Sequence, residues 1–208
     1  MESQLLKIDA HGKYCKFPGV TIVSAIRSKD TKIWKELYDK LNQCELLKKH
    51  YSPLPFESYH MTTNDIYTQK RDGGSNWKDF ITKDMSRLQQ LFKTLSEKKF
   101  NPEIVIDSVR VGGVIMLELK IKEEQENIIR TISKEFDLER KIPPVFHITL
   151  GYSFNESSPE TQKEIKKQLE EILKGYFKKT FYLDVPKLCY FNDMTAFIPW
   201  DAKEYPFA

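Results

Sequence analysis

The sequence is short of the residues that most often reveal a cross-linked or metal-bound framework. Its three cysteines, Cys15, Cys44 and Cys189, are far apart and odd in number. No C-x-x-C pair occurs, so neither a zinc site nor a disulfide scaffold is signalled. No apolar run approaches the roughly 20 residues needed to span a bilayer. The opening residues, MESQLLKIDAHGKYCKF, lack the charged-then-apolar pattern of a signal peptide. A reducing, cytoplasmic setting with no membrane partner is therefore expected. Charge of one sign is also scarce: 33 basic residues against 30 acidic ones leave a net charge of +3. A protein that tracks a long duplex neutralises many phosphates and is usually far more basic. The balance fits a small anionic ligand or a nucleic-acid end better.

What is present is ordinary globular patterning. The hydrophobic fraction of 40% and the length of 208 residues suffice for one large domain or two lobes sharing a core. Residues 1–18 are polar and irregular up to Pro18-Gly19 and read as an N-terminal arm. Residues 19–208 contain no linker-like break and read as a single domain. Residues 20–26 (VTIVSAI) are rich in β-branched side chains and predict a buried strand. Asp30 is placed to cap a helix that carries Trp34, Leu37 and Leu41 at helical spacing. A short strand is expected at 59–63, a polar loop containing Gly73-Gly74 at 64–78, and a helix at 79–98.

The hairpin Glu103–Val111 and Val114–Ile121 turns at Gly112-Gly113. A helix at 123–136 then leads through Pro143-Pro144 to a strand at 145–152. Ser157-Ser158-Pro159-Glu160 opens the last helix. Residues 179–190 and 195–200 read as two closing strands. This order predicts an α+β protein made of two similar lobes, a weak internal duplication rather than a solenoid repeat.

Histidine occurs four times, and two of the four sit in matching contexts: Tyr59-His60-Met61-Thr62 and Phe146-His147-Ile148-Thr149. In a strand, residues i and i+2 share a face, so each H-x-T presents an imidazole beside a hydroxyl. His50-Tyr51-Ser52 resembles the pattern but lies at a helix end beside Pro53, where His50 reads as a helix-terminus cation. Phosphodiester cleavage is the chemistry that wants two such pairs. One group must take a proton from the attacking oxygen, and another must protonate the leaving oxygen on the opposite side of the phosphorus. Histidine titrates near neutrality and can do either without a metal. Threonine hydroxyls can donate to the non-bridging oxygens. The rival arrangement is a metal site using His60, His147 and Asp65, but no metal-ligand spacing supports it.

Further contacts are expected from Arg71, in the polar loop, and from Tyr67, which could stack a base, as could Trp77, Tyr190 and Phe191. Tyr152 lies three residues after Thr149. Strict alternation turns it away, so it reaches the cleft only if the strand ends or bulges near Gly151.

On these residues the sequence resembles the 2H phosphoesterase superfamily, which is defined by two H-x-[ST] motifs. It looks most like a branch with P-G-x-T ahead of a strand, here Pro18-Gly19-Val20-Thr21. That branch carries F/Y-H-M-T as its first motif, matching Tyr59 to Thr62, and H-I-T-L-x-Y as its second, matching His147 to Tyr152. Arg71 followed by Gly73 or Gly74 and Trp77, and the segment from Leu188 to Met194, fit as well. One stretch departs: Thr63-Asn64-Asp65 stands where the branch continues with apolar or aromatic residues.

The resemblance implies a bilobal α+β fold, with antiparallel sheets lining a central cleft and helices outside. It implies cofactor-free and metal-independent hydrolysis of a 2′,3′-cyclic or 2′,5′-linked phosphodiester in a nucleotide or RNA end. His60 and His147 would be the acid/base pair, and Thr62 and Thr149 would bind the phosphate. The residues do not say which histidine is acid and which is base. The alternative is a nucleotide- or RNA-binding module that keeps the cleft without turnover. A monomer with no obligate protein partner is expected.

Overall fold

A computed structural model describes residues 6–26 and 31–207. The first half of the chain forms β1 (Gly19–Ala25), α1 (Thr31–Gln43), α2 (Glu45–Lys48), β2 (Tyr51–Pro53), β3 (His60–Thr68) and α3 (Trp77–Glu97). Next come β4 (Glu103–Val111), β5 (Val114–Ile121), α4 (Glu123–Glu135) and β6 (His147–Ser153). The chain closes with α5 (Pro159–Leu173), β7 (Thr180–Tyr182), β8 (Lys187–Phe191) and β9 (Ile198–Pro199). Asp30, the expected cap of α1, lies outside the described residues.

The strands join in one antiparallel sheet of order β7-β4-β5-β6-β3-β1-β8-β9, with β2 paired to β6 beside β3. The two H-x-T strands are therefore neighbours at its centre, bridged at Met61↔Ile148. The two lobes do not carry separate sheets; their sheets fuse along this seam. The duplication is visible in the topology. The unit β1-α1-β3-α3 is matched by β5-α4-β6-α5, and in each unit the first strand pairs antiparallel with its H-x-T strand. Helices are exchanged between the units. One apolar core receives α1 and α5 through Trp34, Leu41, Ile165 and Leu169. The other receives α3 and the end of α4 through Leu88, Leu91 and Ile132. Spacings of three and four residues give these helices their buried stripes. At the start of α5, Ser158 Oγ accepts from the Thr161 amide, with Pro159 in the first turn.

The sheet curls strongly into a half-barrel, and the chain itself requires it. β7 and β8 stand six positions apart in the sheet, about 29 Å if it were flat at ~4.8 Å per strand. Yet only residues 183–186 lie between them, a reach of about 18 Å. Curvature closes the gap: Leu183 bridges Ile26, and the Asp184 amide donates to the Ala25 carbonyl at 2.8 Å. The expected single strand at 179–190 is thus two strands on opposite halves of the sheet. Pro186, with no amide to donate, lies at the break. The strand expected at 59–63 is also longer, running to Thr68. Its second half escapes sequence reading because β3 bulges twice against β1, and the alternation of buried and open residues breaks at Thr63-Asn64.

Candidate functional site

The bridge Met61↔Ile148 fixes the geometry of the seam. Carrying that antiparallel register one residue each way sets His60 opposite Thr149 and Thr62 opposite His147. The four side chains form a diagonal quartet, with like residues about 7 Å apart across the strands. All four line one cleft of about 720 Å³, while Met61 and Ile148 are buried beneath it.

Each imidazole is held in the same way. His60 Nδ1–H donates to the Ser58 carbonyl at 2.6 Å, and His147 Nδ1–H donates to the Val145 carbonyl at 2.9 Å. A carbonyl can only accept, so in both rings the hydrogen is on Nδ1 and Nε2 is left for the cleft. Phe197 stacks on the His60 ring with centroids 3.9 Å apart. Burial pushes His60 down from the ordinary 6.5 to about 4. The Ser58 hydrogen bond opposes that shift, and the nearby charges of His147 and Lys7 add to it.

Both strands bulge just after their threonine. In β6, Ile115 pairs with Gly151 but Met116 pairs with Thr149, so one residue is extra and Tyr152 lines the cleft. Gly151 permits this, because a Cβ there would meet the Ser52 carbonyl oxygen at 2.7 Å. In β3 the first register shift brings Asp65 into the cleft, again three residues after the threonine. The second shift turns Tyr67 away, and this corrects its expected place. Tyr67 donates to Asp84 at 2.9 Å, accepts from Arg87, and packs edge-on against Phe80 over the second core. Trp77 and Tyr190 are also packed among the rings of that core, whereas Phe191 lines the cleft.

Arg71 reaches the cleft wall, but protein groups hold its guanidinium. It pairs with Asp65 at 2.8 Å and Asp72 at 2.9 Å and donates to the Ile66 carbonyl at 3.0 Å. The segment that departs from the resembled branch mostly faces elsewhere. Thr63 and Asn64 are buried; Thr63 donates to the Ile22 carbonyl, and Asn64 donates to Ser133 Oγ at 2.8 Å. The P-G-x-T residues are explained by the wall. A Cβ on Gly19 would stand 2.2 Å from the Phe191 ring, and Thr21 lines the cleft with its hydroxyl on the Asn64 carbonyl.

Sequence reading missed Lys7, Lys70, Arg140, Lys141 and Phe197, which also line the cleft. The basic pair Arg140-Lys141 just ahead of Pro143-Pro144 and the second H-x-T was the available signal. Nothing local marked Phe197. Among the described residues no three His, Cys, Asp or Glu side chains are grouped as metal ligands, and no helix is long and apolar enough to cross a membrane.

An α+β half-barrel with paired H-x-T strands at its seam is the architecture of a two-histidine phosphoesterase. The chain belongs to the 2H-phosphodiesterase family described as a domain of unknown function (DUF1868), whose model matches residues 7–118. That match includes the first H-x-T and ends before the second. Similarity to an uncharacterized protein, 127L, of Invertebrate iridescent virus 6 runs further: 24% identity over 225 residues, covering 94% of each chain. Among solved structures, the conserved protein of unknown function ATU0111 from Agrobacterium tumefaciens superposes with a TM-score of 0.67 at 20% identity. The superposition covers 93% of this chain and 89% of that one, and it shows a shared fold. Usb1 of Kluyveromyces marxianus gives a TM-score of 0.47 at 12% identity, covering 89% and 98%.

Proposed function

We propose that the protein is a metal-independent phosphodiesterase that hydrolyses a 2′,3′-cyclic or 2′,5′-linked phosphodiester of a nucleotide or RNA end. The observation that carries this is the diagonal quartet: two imidazoles with Nδ1 anchored and Nε2 free, each opposite a threonine hydroxyl. His60, whose burial disfavours the charged form, takes the proton of the attacking water as the new P–O bond forms. His147 gives a proton from Nε2 to the leaving ribose oxygen as the old P–O bond breaks. Thr62 and Thr149 donate to the non-bridging oxygens. The product is a phosphomonoester, and the two histidines re-equilibrate through solvent.

Turnover of 2′,3′-cyclic mononucleotides and 2′,5′-linked dinucleotides by the purified protein, with and without chelator, tests the proposal. Activity should persist with chelator and vanish in His60→Ala and His147→Ala. Activity that is lost on chelation and survives both substitutions would sink it.

A further inference from the structure

The cleft is polarised along its length. β3 and β6 run antiparallel, so they leave the quartet in opposite directions. Beyond Thr149 the walls are mainly apolar: Phe17, Tyr152 and Met194, with Lys7 lying over the Phe17 and Tyr152 rings at 5.4 and 5.1 Å. Beyond Thr62 the lining becomes cationic. Lys70 and Arg71 follow β3, and Arg140 and Lys141 approach from the segment ahead of β6.

The carboxylates at this end do not neutralise all four. Asp65 pairs with Arg71, while Asp72 is shared between Arg71 at 2.9 Å and Lys141 at 3.6 Å. Among the described residues no carboxylate lies within ion-pairing reach of Lys70 or Arg140. Glu139, beside Arg140, lines a separate depression formed with Pro143 to Phe146. Lys141 is held by Asp72 and by the Tyr67 ring 5.7 Å from its Nζ. Two cations without acidic partners, beside a third that is held in position, make an anion site.

The spacing separates it from the quartet. Thr62 pairs with Val23 and Thr68 with Gly19, so across the two bulges Thr68 lies four β1 residues past Thr62, about 13 Å at ~3.3 Å per residue. A phosphate whose oxygens meet Thr62 and Thr149 does not extend to this end. We propose that Lys70, Arg140 and Lys141 form a second phosphate subsite. The substrate is then a nucleotide bearing a further phosphate on the side away from Tyr152, rather than a lone cyclic mononucleotide. That the ligand is a substrate rests on the phosphodiesterase reading; the subsite itself does not.

The test is calorimetric binding and steady-state kinetics with three probes. These are adenosine 2′,3′-cyclic phosphate, its 5′-phosphorylated form, and a 5′-hydroxyl adenylyl dinucleotide ending in a 2′,3′-cyclic phosphate. The second probe adds a terminal phosphate and the third an internucleotide one, so the stronger of the two identifies the source. At least one should bind about ten-fold or more tightly than the first, and the advantage should shrink as salt is raised. In Lys70→Gln/Arg140→Gln the advantage should fall to near unity. Both side chains are exposed and unpaired, so the variant should melt as wild type does.

Equal affinity for all three probes, or an advantage that survives the double substitution, would overturn the subsite. Binding measured on His60→Ala keeps the two proposals apart. A two-phosphate advantage without turnover by wild type retains the subsite and removes the hydrolase. Turnover with no such advantage does the reverse.

Discussion

The two H-x-T halves of the cleft share a backbone design and differ in what surrounds it. Each histidine bonds the carbonyl two residues earlier, each threonine faces the opposite histidine, and each strand bulges to expose the residue three places on. But His60 lies under Phe197, while no aromatic ring stacks on His147 among the described residues. The exposed third residue is an ion-paired carboxylate, Asp65, in one half and a phenol, Tyr152, in the other. Duplication sets the geometry, and under the proposed mechanism the unequal surroundings would give the proton transfer its direction.

Replacing the histidines tests that division most severely. His60→Ala and His147→Ala should each lower kcat on a nucleotide substrate by roughly 10²- to 10⁴-fold, the usual range for general acid or base catalysis. A phosphodiester with a p-nitrophenyl leaving group needs no protonation on departure. It should restore most of the activity of His147→Ala and little of that of His60→Ala. Rescue of both, or of His60→Ala alone, would break the assignment of roles. Thr62→Val and Thr149→Val should each cost on the order of 10²-fold, as for loss of one donor to a transition-state oxygen. Similar losses in kcat would mean that both hydroxyls meet the same phosphate; a loss confined to one would end the argument from symmetry.

Much of this was open to reading because it depends on local periodicity. The H-x-T strands, the helices and the two-lobe plan all follow from alternation or from three-and-four spacing. What failed depends on register. Tyr67 was misassigned because a second bulge reverses the face of β3, and a bulge leaves no composition signal. Tyr152 was conditional on a bulge near Gly151, and the close approach of β2 shows why glycine stands there. Strand 179–190 looked continuous because Leu183 and Val185 suit a strand, while its division reflects curvature of the whole sheet. Lys7, Lys70, Arg140 and Phe197 come to line one cleft only through tertiary folding. No window of sequence holds them together.

Phe197 allows the unequal surroundings to be adjusted. A base works only while unprotonated, so with His60 near 4 the acid-side limb of kcat/KM should lie near pH 4. Phe197→Ala removes the covering ring and should move that limb upward toward 6.5. At pH 5 the variant should lag by up to about thirty-fold, approaching wild type at pH 8. Stability follows the same sign. The unfolded chain binds this proton at a higher pH than the folded one, so stability is lost as pH falls from about 6.5 to about 4. Denaturant unfolding at pH 7 and pH 4.5 should show a smaller difference in Phe197→Ala. An unmoved limb would mean that the ring does not govern His60.

The smallest effects should come from the two residues exposed by the bulges, and their contrast is informative. Tyr152→Phe removes only a 3.4 Å contact from Lys7 and a contact to the Met194 sulfur, so kcat/KM should change by no more than about three-fold. Asp65→Asn removes the partner of Arg71 in a half-exposed pair and should cost up to about 1 kcal/mol in denaturant unfolding. It also leaves a guanidinium facing the cleft with one carboxylate, Asp72, in place of two. The expected result is tighter binding of anions: KM for a nucleotide substrate should fall two- to five-fold, while kcat holds. If KM rises instead, Asp65 contacts the substrate directly, and the two bulged positions are functional counterparts rather than the point at which the halves diverge.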